Sequence, residues 1–399
     1  MIKYSKIKDI CEITNGYAFK SDRYVTDEGA RVIRITNVQK GKVVDNDPKL
    51  YPFSDLSNLD TYKIYEGDIL MSLTGNVGRV GKFPKELLPA YINQRVCRVK
   101  SCSDNLLENY LFHFLNSDIF ENDAIRNSAG AAQLNLSTKW VSEYEIPLPP
   151  LPQQQKIANI LDAADALRQN DKALIAKYDE LTQALFLDMF GDPVSNPKGW
   201  EMKLVEDVAS KEKHSIKAGP FGSSLKKEFY VQEGYKIYGQ EQVIKDDMSF
   251  GNYYISEKKF KELESCKVKA GDVLISLVGT YGKISIIPEI FEEGIINPRL
   301  MKLTPNKDII RPDYLKFLLQ SEFVGRQLKS QSRGGTMDII NVGIIRKVVI
   351  PLPKIDLQNQ FAERVAVIEE QKAIAQKQLE KSEELFNSLL QKAFKGELV

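Results

Sequence analysis

The sequence predicts an α+β protein built from two similar halves, each a mixed α/β domain followed by a long helix. Three observations predict this class. The proline-rich segment Ile146–Pro152 precedes a run without proline or glycine that ends only at Gly191. A second such run follows Ile350–Pro353 and ends at Gly396. Many residues also recur at one constant distance, that from Ile146 to Ile350, which indicates a duplicated unit.

The repeat covers both the mixed domains and the helices. The tetrapeptide Gly67-Asp68-Ile69-Leu70 recurs as Gly271-Asp272-Val273-Leu274, and the Ile-Pro-Leu-Pro tetrapeptides match. Asn93, Arg95, Tyr110 and Gln154 recur at the same offset as Asn297, Arg299, Tyr314 and Gln358. Chance explains one unbroken register poorly, so the chain is a tandem duplication of a domain and a helix.

Hydrophobic patterns predict the elements of the first domain, residues 1–150, and the second domain, residues 193–353, repeats them. Short apolar runs predict strands, and apolar residues on one side of a 3.6-residue period predict a helix. The predictions are a short helix or strand at Ile7–Ile10, strands at Val32–Ile35, Asp68–Ser72, Gly78–Lys82 and Val96–Val99, and a helix at Glu108–Phe120.

The proline-free runs predict two spacer helices, residues 151–192 and 354–399. Their apolar residues are three, four or seven positions apart, which is typical of a narrow helix–helix seam. About forty residues at 1.5 Å each give a rod of roughly 60 Å. Two equivalent units imply a pseudo-two-fold axis, which makes the helices antiparallel. The predicted seam residues are Ile157, Leu161, Ala164, Leu174, Tyr178, Leu181, Leu185, Phe361, Val365, Ile368, Leu379, Leu385 and Leu389.

Composition sets broad limits on the kind of protein. The 399 residues suffice for two or three domains, and a hydrophobic content of 43% is ordinary for a soluble globular chain. The sequence contains no run of eighteen consecutive apolar residues, so no membrane span is predicted. The four cysteines lack paired metal spacing, which predicts free thiols in a reduced cytoplasm. The net charge of +1 is low for a nucleic-acid binder, so positive charge must gather on one face or come from a partner.

Motifs for catalysis are weak. The segment Gly279–Ser285 lacks the spacing of a phosphate-binding loop, and we interpret it as a turn between strands. Asp313 and Lys316 resemble part of a nuclease cluster, but we interpret Asp313 as the N-cap of a helix that starts at Tyr314. Two histidines leave little general-base capacity, and no catalytic or metal-binding residue is predicted. The chain is therefore predicted not to be an enzyme.

Glycine- and serine-rich loops with lysine or arginine recur in both domains. Such loops can contact phosphates through backbone N–H groups and read base edges through side chains, although a solvated surface loop has the same composition. The candidate DNA-binding residues in these loops and strand turns are Lys20, Arg23, Asn76, Arg79, Arg126, Ser128, Gln133, Ser223, Ser224, Lys226, Lys227, Tyr281, Lys283, Lys329, Arg333 and Thr336.

The order of domain, proline-rich helix, domain and helix resembles the specificity subunit of type I restriction–modification systems, over the entire chain. The most specific pieces are Ile146–Leu151 with Gln154–Ile157, the strand pair that begins at Gly67, and Ser128 with Gly130, Gln133 and Asn135. The chain departs from the family at Gln153, where glutamate is usual. The second copy has Met337 where the first has Gln133.

The resemblance implies a non-catalytic subunit in which each mixed domain is a target-recognition domain for half of a bipartite DNA site. The helices would then set the spacing and dock two methyltransferase subunits, and restriction subunits would join the complex. It also implies that AdoMet, ATP and Mg²⁺ are used by the partners, so this chain binds no cofactor. Helix charges outside the seam, such as Lys172, Lys177, Asp179 and Glu180, are candidate partner contacts.

Two alternatives remain open at this point. A coiled-coil scaffold with protein-binding domains would have the same long helices but no DNA readout. A specificity subunit of a related system, with a fused nuclease–methyltransferase as its partner, would have the same sequence pattern. Positive charge clustered on one side of both domains favours DNA, whereas scattered charge favours the scaffold.

Overall fold

The computed structural model describes residues 3–128, 134–221, 224–277, 283–331 and 341–398. The chain groups into two compact units, Met1–Leu174 with Ala375–Val399, and Ile175–Ile374. Each unit holds one mixed domain and part of each long helix. The predicted α+β class with a tandem repeat is confirmed, whereas the predicted pseudo-two-fold axis and the domain limits at residues 150, 192 and 353 stay predictions.

The first mixed domain is a set of short strands with four helices around them. Its strands are β1 (Tyr4–Lys6), β2 (Cys11–Asn15), β3 (Ala30–Ile33), β4 (Val38–Gln39), β5 (Gly41–Val43), β6 (Leu50–Tyr51), β7 (Ile69–Ser72), β8 (Val80–Lys82), β9 (Ala90–Ile92), β10 (Val96–Ser101) and β11 (Glu145–Pro147). Its helices are α1 (Ile7–Ile10), α2 (Glu108–Leu115), α3 (Asp118–Arg126) and α4 (Thr138–Glu143).

The main sheet of this domain has the order β2-β10-β7-β8-β5-β4, and a smaller sheet has the order β6-β3-β9. Every residue of β7 is buried, because the sheet is covered on both faces and the strand is a continuous apolar run ending in Ser72. The predicted helix Glu108–Phe120 is wrong in its extent. It breaks at Ser117, whose hydroxyl accepts a hydrogen bond from the backbone N–H of Phe120 and so starts a new helix.

The second mixed domain follows the same plan. Its strands are β12 (Glu201–Leu204), β13 (Ile216–Ala218), β14 (Tyr230–Val231), β15 (Tyr235–Tyr238), β16 (Tyr254–Ile255), β17 (Val273–Ser276), β18 (Ile284–Ile286), β19 (Gly294–Ile296), β20 (Leu300–Leu303) and β21 (Val349–Leu352). The long helix α5 (Leu151–Phe190) follows the first domain. The helices of the second domain are α6 (Gln240–Lys245), α7 (Glu257–Glu262), α8 (Pro312–Gln320), α9 (Glu322–Gln331) and α10 (Val342–Arg346).

Its main sheet has the order β13-β20-β17-β18, so β17 takes the place of β7 and is again buried at every residue. The parallel pair β15 and β19 takes the place of β3 and β9. The predicted N-cap at Asp313 is wrong, because α8 already begins at Pro312 and its N-cap is Arg311. Proline suits the first helical position, since its missing N–H has no partner there.

The two long helices are α5 and α11 (Ile355–Lys395), with 40 and 41 residues. Within the first unit, Arg168 lies over the ring of Phe386, and the Lys172 ammonium is 2.8 Å from the Glu383 carboxylate. The residue numbers of these contacts therefore fall along α11 as they rise along α5. Within the second unit, Asp179 contacts Lys372 and Phe186 packs on Phe361. The predicted antiparallel direction is therefore present in each unit.

Burial along the two long helices follows much of the predicted seam, which itself stays a prediction. Ile157, Leu161 and Ala164 are buried in the first unit, where Leu389 packs on the same core. In the second unit Phe361 is buried, and Leu185 and Val365 pack on its core. The predicted seam residues that are half-buried are Tyr178, Ile368 and Leu379.

Three predicted seam residues are exposed in the structure. Leu174, Leu181 and Leu385 are 42%, 49% and 47% exposed. The seam continues at steps of three and four residues through polar side chains, so Asp171 and Thr182 are buried on α5 and Ser382 on α11. A search for apolar residues alone selects leucines one or more positions away from that line.

A buried glutamine clamp explains why the proline-rich segment and the following glutamine recur. In the first unit, Gln154 accepts a hydrogen bond from the Leu107 N–H at 2.9 Å and donates to the carbonyl oxygens of Asn105 and Pro149, both at 2.8 Å. In the second unit, Gln358 accepts from the Arg311 N–H at 2.9 Å and donates to two equivalent carbonyls. Each clamp ties a long helix to its own domain.

Candidate nucleic-acid interface

An open polar cleft of about 700 Å³ lies on the first mixed domain. Four segments of the chain converge on it: the end of β2, the turn after β7, the turn between β9 and β10, and the segment before α4. Its lining residues are Asn15, Leu73, Thr74, Gln94, Arg95, Asn135, Leu136, Ser137 and Thr138.

Backbone hydrogen bonds hold these segments together. The Gly75 N–H donates to the Leu134 carbonyl at 2.9 Å, and the Leu136 N–H donates to the Leu73 carbonyl at 2.7 Å. Gly16 lies so close to the neighbouring turn that a Cβ there would be 2.0 Å from the Asn93 carbonyl oxygen. Only glycine permits this approach. The cleft therefore has a defined backbone frame.

The cleft side chains are mainly amides and hydroxyls. The Thr74 hydroxyl donates to the Asn135 side-chain oxygen at 3.1 Å, and the Asn15 amide lies 3.4 Å from the Thr138 hydroxyl. Gln94 and Arg95 are exposed and make no side-chain hydrogen bond or ion pair to the described residues. Amides can present a paired donor and acceptor to adenine, and arginine can bind guanine or phosphate.

The second domain has a different surface at the equivalent positions. Ala218 replaces Asn15, Pro298 replaces Gln94 and Val342 replaces Thr138. Arg299 replaces Arg95 without change, and it is exposed. One of its guanidinium nitrogens is 3.5 Å from the Gln240 side-chain oxygen. One frame thus carries two sets of side chains that differ in hydrogen-bonding capacity but share an arginine.

Comparison with known proteins decides the family. The family model for the type I restriction modification DNA specificity domain matches residues 2–177 and 197–384. The chain belongs to this family. It is 25% identical to the type I restriction enzyme EcoBI specificity subunit of Escherichia coli over 98% of this chain and 84% of the relative. It is 22% identical to the EcoKI specificity subunit of Escherichia coli strain K12, over 98% and 88%.

Solved structures share the specificity-subunit fold. A type I restriction–modification S subunit from M. genitalium has a TM-score of 0.56 at 15% identity, and the match covers 98% of this chain and 96% of that one. A chain from a study of complex assembly and conformational transition in a type I system has a TM-score of 0.54 at 20% identity, with coverage of 99% and 98%. At these identities the likeness shows the fold.

Those sequence-predicted residues of the first specificity domain that the structure describes lie outside the cleft lining. Lys20 and Asn76 are exposed, and Arg23 pairs with Asp55 at 3.0 Å. Other predicted side chains have internal partners: Arg79 donates to Gln39 at 3.2 Å, Arg126 is 3.5 Å from Asp123, and Ser128 donates to the Ile125 carbonyl at 2.7 Å. Their part in DNA binding stays a prediction. Gln133 lies outside the described residues.

In the second specificity domain, Ser224, Lys227 and Lys283 are exposed, and Lys226 is 3.6 Å from Glu228. Lys329 is in α9, but its side chain is not described. The other predicted residues of this domain, which lie outside the described part of the chain, are Ser223, Tyr281, Arg333 and Thr336.

Sequence reasoning missed the cleft residues Asn15, Thr74, Gln94, Arg95 and Thr138 as DNA-binding candidates. They come from segments far apart in the chain, and only the tertiary fold brings them together. One signal was present, because Asn93 and Arg95 recur as Asn297 and Arg299 in the repeat. Residues on a turn that survive duplication, while their neighbours change, point to a shared role.

Other kinds of site receive little support in the described ranges. These residues contain no group of three or more His, Cys, Asp or Glu side chains that could hold a metal ion. Burial raises the pKa of Cys11 and of Cys97 to about 12, so neither thiol is a ready ligand or nucleophile at neutral pH. Among the same residues, every helix is too short or too polar to cross a membrane.

Proposed function

We propose that this specificity subunit reads an asymmetric, bipartite DNA site, with one half-site for each mixed domain. The observation that carries the proposal is the pair of equivalent turns with different neighbours. The first domain has Asn15 and Gln94 where the second has Ala218 and Pro298. Two surfaces with different hydrogen-bonding groups favour different base edges, so the site differs from the palindrome that an identical dimer reads.

The helices are proposed to separate the half-sites. To face the same side of the duplex, the half-site centres should lie about one helical turn apart, roughly 10 base pairs. Matched insertions in α5 and α11 should widen the unread gap and leave both half-sites unchanged. The clamps at Gln154 and Gln358 support this part, because each fixes a domain to its own helix.

We propose two methyltransferase subunits as partners, with restriction subunits joining through the complex. An exposed apolar stripe on α5, Ile160, Leu167 and Leu174, offers a helix face for docking. Lys172 and Asp179 are in helix–helix ion pairs, whereas Lys177 and Glu180 are exposed and have no side-chain partner among the described residues. Lys177 and Glu180 are therefore the better candidate contacts.

Catalysis is proposed to reside in those partners. AdoMet, ATP and Mg²⁺ would be bound by the methyltransferase and restriction subunits, and the present chain would act with them on chromosomal DNA in the cytoplasm. The polar cleft supports a reading role, since it combines exposed amides with one arginine and has no acid–base pair to activate a nucleophile among the described lining residues.

Adenine methylation mapped across a host genome, with and without this gene, tests the proposal. The expected result is one interrupted, asymmetric motif that disappears with the gene. A genome whose methylation does not depend on the gene would contradict DNA readout and favour the scaffold. Native mass spectrometry should show two methyltransferase subunits per chain at saturation, and a one-to-one complex would contradict the partner proposal.

A further inference from the structure

The turn between β9 and β10 and its counterpart between β19 and β20 have the same backbone frame. The Leu73 N–H donates to the Arg95 carbonyl at 2.9 Å, and the Leu277 N–H donates to the Arg299 carbonyl at the same distance. A Cβ on Gly219 would lie 1.9 Å from the Asn297 oxygen, as close as the equivalent contact in the first domain. Each turn is therefore fixed in the same way against the equivalent neighbouring loop of its own domain.

The other backbone bonds of the turn also match. The Val96 N–H donates to the Asn93 carbonyl at 2.8 Å, and the Leu300 N–H donates to the Asn297 carbonyl at 3.2 Å. The residue between the asparagine and the arginine differs, since Gln94 donates its N–H to the Tyr17 carbonyl and Pro298 has no N–H. The turn of the second domain therefore keeps its arginine although it lacks one backbone hydrogen bond that the turn of the first domain has.

Neither arginine has a charged partner in the described part of the chain. Arg95 makes no side-chain bond there, and the side-chain contact of Arg299 is with the neutral amide of Gln240. Many other surface cations of the molecule are paired, as Arg23 is with Asp55 and Lys267 with Glu293. An unpaired guanidinium on a rigid turn is available to an external anion.

We propose that Arg95 and Arg299 are equivalent phosphate anchors, and that the positions which differ around them read the bases. The proposal rests on the proposed function, in which the two domains read different half-sites. A residue kept in both readers, on one frame, must contact what both half-sites share, and the sugar–phosphate backbone is shared whatever the sequence. Gln94 and Asn15 are then specificity-determining in the first domain.

A carboxylate on a methyltransferase subunit is the rival occupant, since it too would meet both domains. The position of Arg95 in the lining of a cleft with exposed amides favours DNA, because phosphate and base contacts lie side by side on a duplex. The two occupants differ in one measurable respect. Phosphate contact releases counterions and makes affinity depend on salt, and it does so on any duplex.

The test uses the complex of this chain with its methyltransferase subunits, two duplexes and four variants. One duplex carries the motif mapped for the wild type, and the other lacks it. The variants are Arg95→Ala, Arg299→Ala, Gln94→Ala and Lys100→Ala. Lys100 is exposed on β10, outside the cleft, and serves as the matched loss of charge. Thermal unfolding of each variant checks that these exposed substitutions leave the fold intact.

Each arginine variant should bind both duplexes more weakly and methylate an unchanged motif. The slope of log affinity against log salt should fall by about 0.9 for each lost contact, so the deficit relative to wild type shrinks about 3.5-fold between 50 and 200 mM salt. Gln94→Ala should keep the wild-type slope and lose roughly tenfold discrimination at one base pair of one half-site. Lys100→Ala should match the wild type in both readouts.

Three results would overturn the anchor assignment. An arginine variant that relaxes the motif would make that arginine a base reader. A variant with the wild-type salt slope and weakened methyltransferase binding, measured by native mass spectrometry, would place a protein partner at the turn. Lys100→Ala with the same loss as the arginine variants would mean that only total charge matters. Failure of the proposed function is distinct, since the wild type would then yield no bipartite motif.

Discussion

The junctions between domain and helix in the two units share one clamp but are filled by different side chains. Besides the glutamine, both use a tyrosine: Tyr110 donates to the Pro147 carbonyl and Tyr314 to the Pro351 carbonyl, each at 2.9 Å. Tyr110 and Tyr314 are both buried. Hydrogen bonds with matching partners and distances have therefore been kept through the divergence of the two copies.

The first junction is completed by polar groups. His113 is buried and lies 2.7 Å from the Asp162 carboxylate on α5, and Asn109 donates to the same carboxylate at 2.9 Å. Burial lowers the pKa of His113, although the hydrogen bond and charge of Asp162 oppose this. The imidazole is therefore held neutral while it ties α2 to the long helix.

The second junction is completed by aromatic rings. Phe317 replaces His113, and its ring stacks on that of Phe186 with centroids 4.4 Å apart. Phe190 packs edge-on against Tyr314, as Phe394 does against Tyr110 in the first junction, and it also packs against Phe361, whose counterpart in the first unit is Ile157. Directional bonds to the backbone therefore fix each domain on its helix, while the surrounding volume can be filled by polar groups or by aromatic rings.

The largest expected effect is loss of a clamp. Gln154→Leu and Gln358→Leu should each lower the free energy of unfolding by about 3 kcal/mol, because a backbone N–H and two carbonyls lose the buried glutamine as their partner. The loss should be similar in the two units, since their bonds match. Chemical denaturation of the full chain measures it.

Gln155→Leu is the matched control, because Gln155 is the residue after Gln154 and is exposed. It should change the free energy of unfolding by no more than about 0.5 kcal/mol. If one clamp variant were neutral and the other strongly destabilised, the two junctions would not be equivalent.

A smaller effect is expected from the tyrosines. Tyr110→Phe and Tyr314→Phe keep the ring and remove one hydrogen bond, so each should cost about 1 kcal/mol. Burial raises the pKa of both hydroxyls, so the cost should not change between pH 6 and 9. Thermal unfolding at those two pH values gives the comparison; a cost that vanishes at pH 9 would contradict it.

The smallest expected effect distinguishes the polar first junction from the aromatic second junction. Because the pKa of His113 is lowered in the folded state, its contribution to stability is complete above the ordinary value of 6.5 and is lost as the pH falls through the lowered value. The variant His113→Phe copies the second junction. Its midpoint of thermal unfolding should therefore fall less between pH 7.5 and pH 5 than that of the wild type. Equal falls in both proteins would show that His113 does not titrate with unfolding.

Much of the fold could be predicted because the repeat and the long helices are strong local signals. The absence of proline and glycine predicted α5 at residues 151–192, and the helix runs from Leu151 to Phe190. The seam was harder. Its line passes through the buried polar residues Asp171 and Thr182, while Leu174 and Leu181 face outward, so apolar spacing alone shifted the register.

The candidate site could be predicted only in part. Loops rich in glycine, serine and lysine were chosen by composition, and Arg23 and Arg126 turned out to have acidic partners. The cleft depends on strand ends that tertiary structure brings together, as with Asn15 and Asn135. No local sequence pattern indicates that these residues are neighbours, whereas the recurrence of Arg95 as Arg299 was a signal that the sequence did contain.

In the proposed function the two domains are independent readers with one frame and different side chains. Replacing residues 1–145 by the first domain of another family member, followed by mapping of methylated sites, tests it most directly. One half-site should change while the other half-site and the length of the gap stay as in the wild type. A swap that altered both half-sites, or a motif that proved continuous and palindromic, would contradict it.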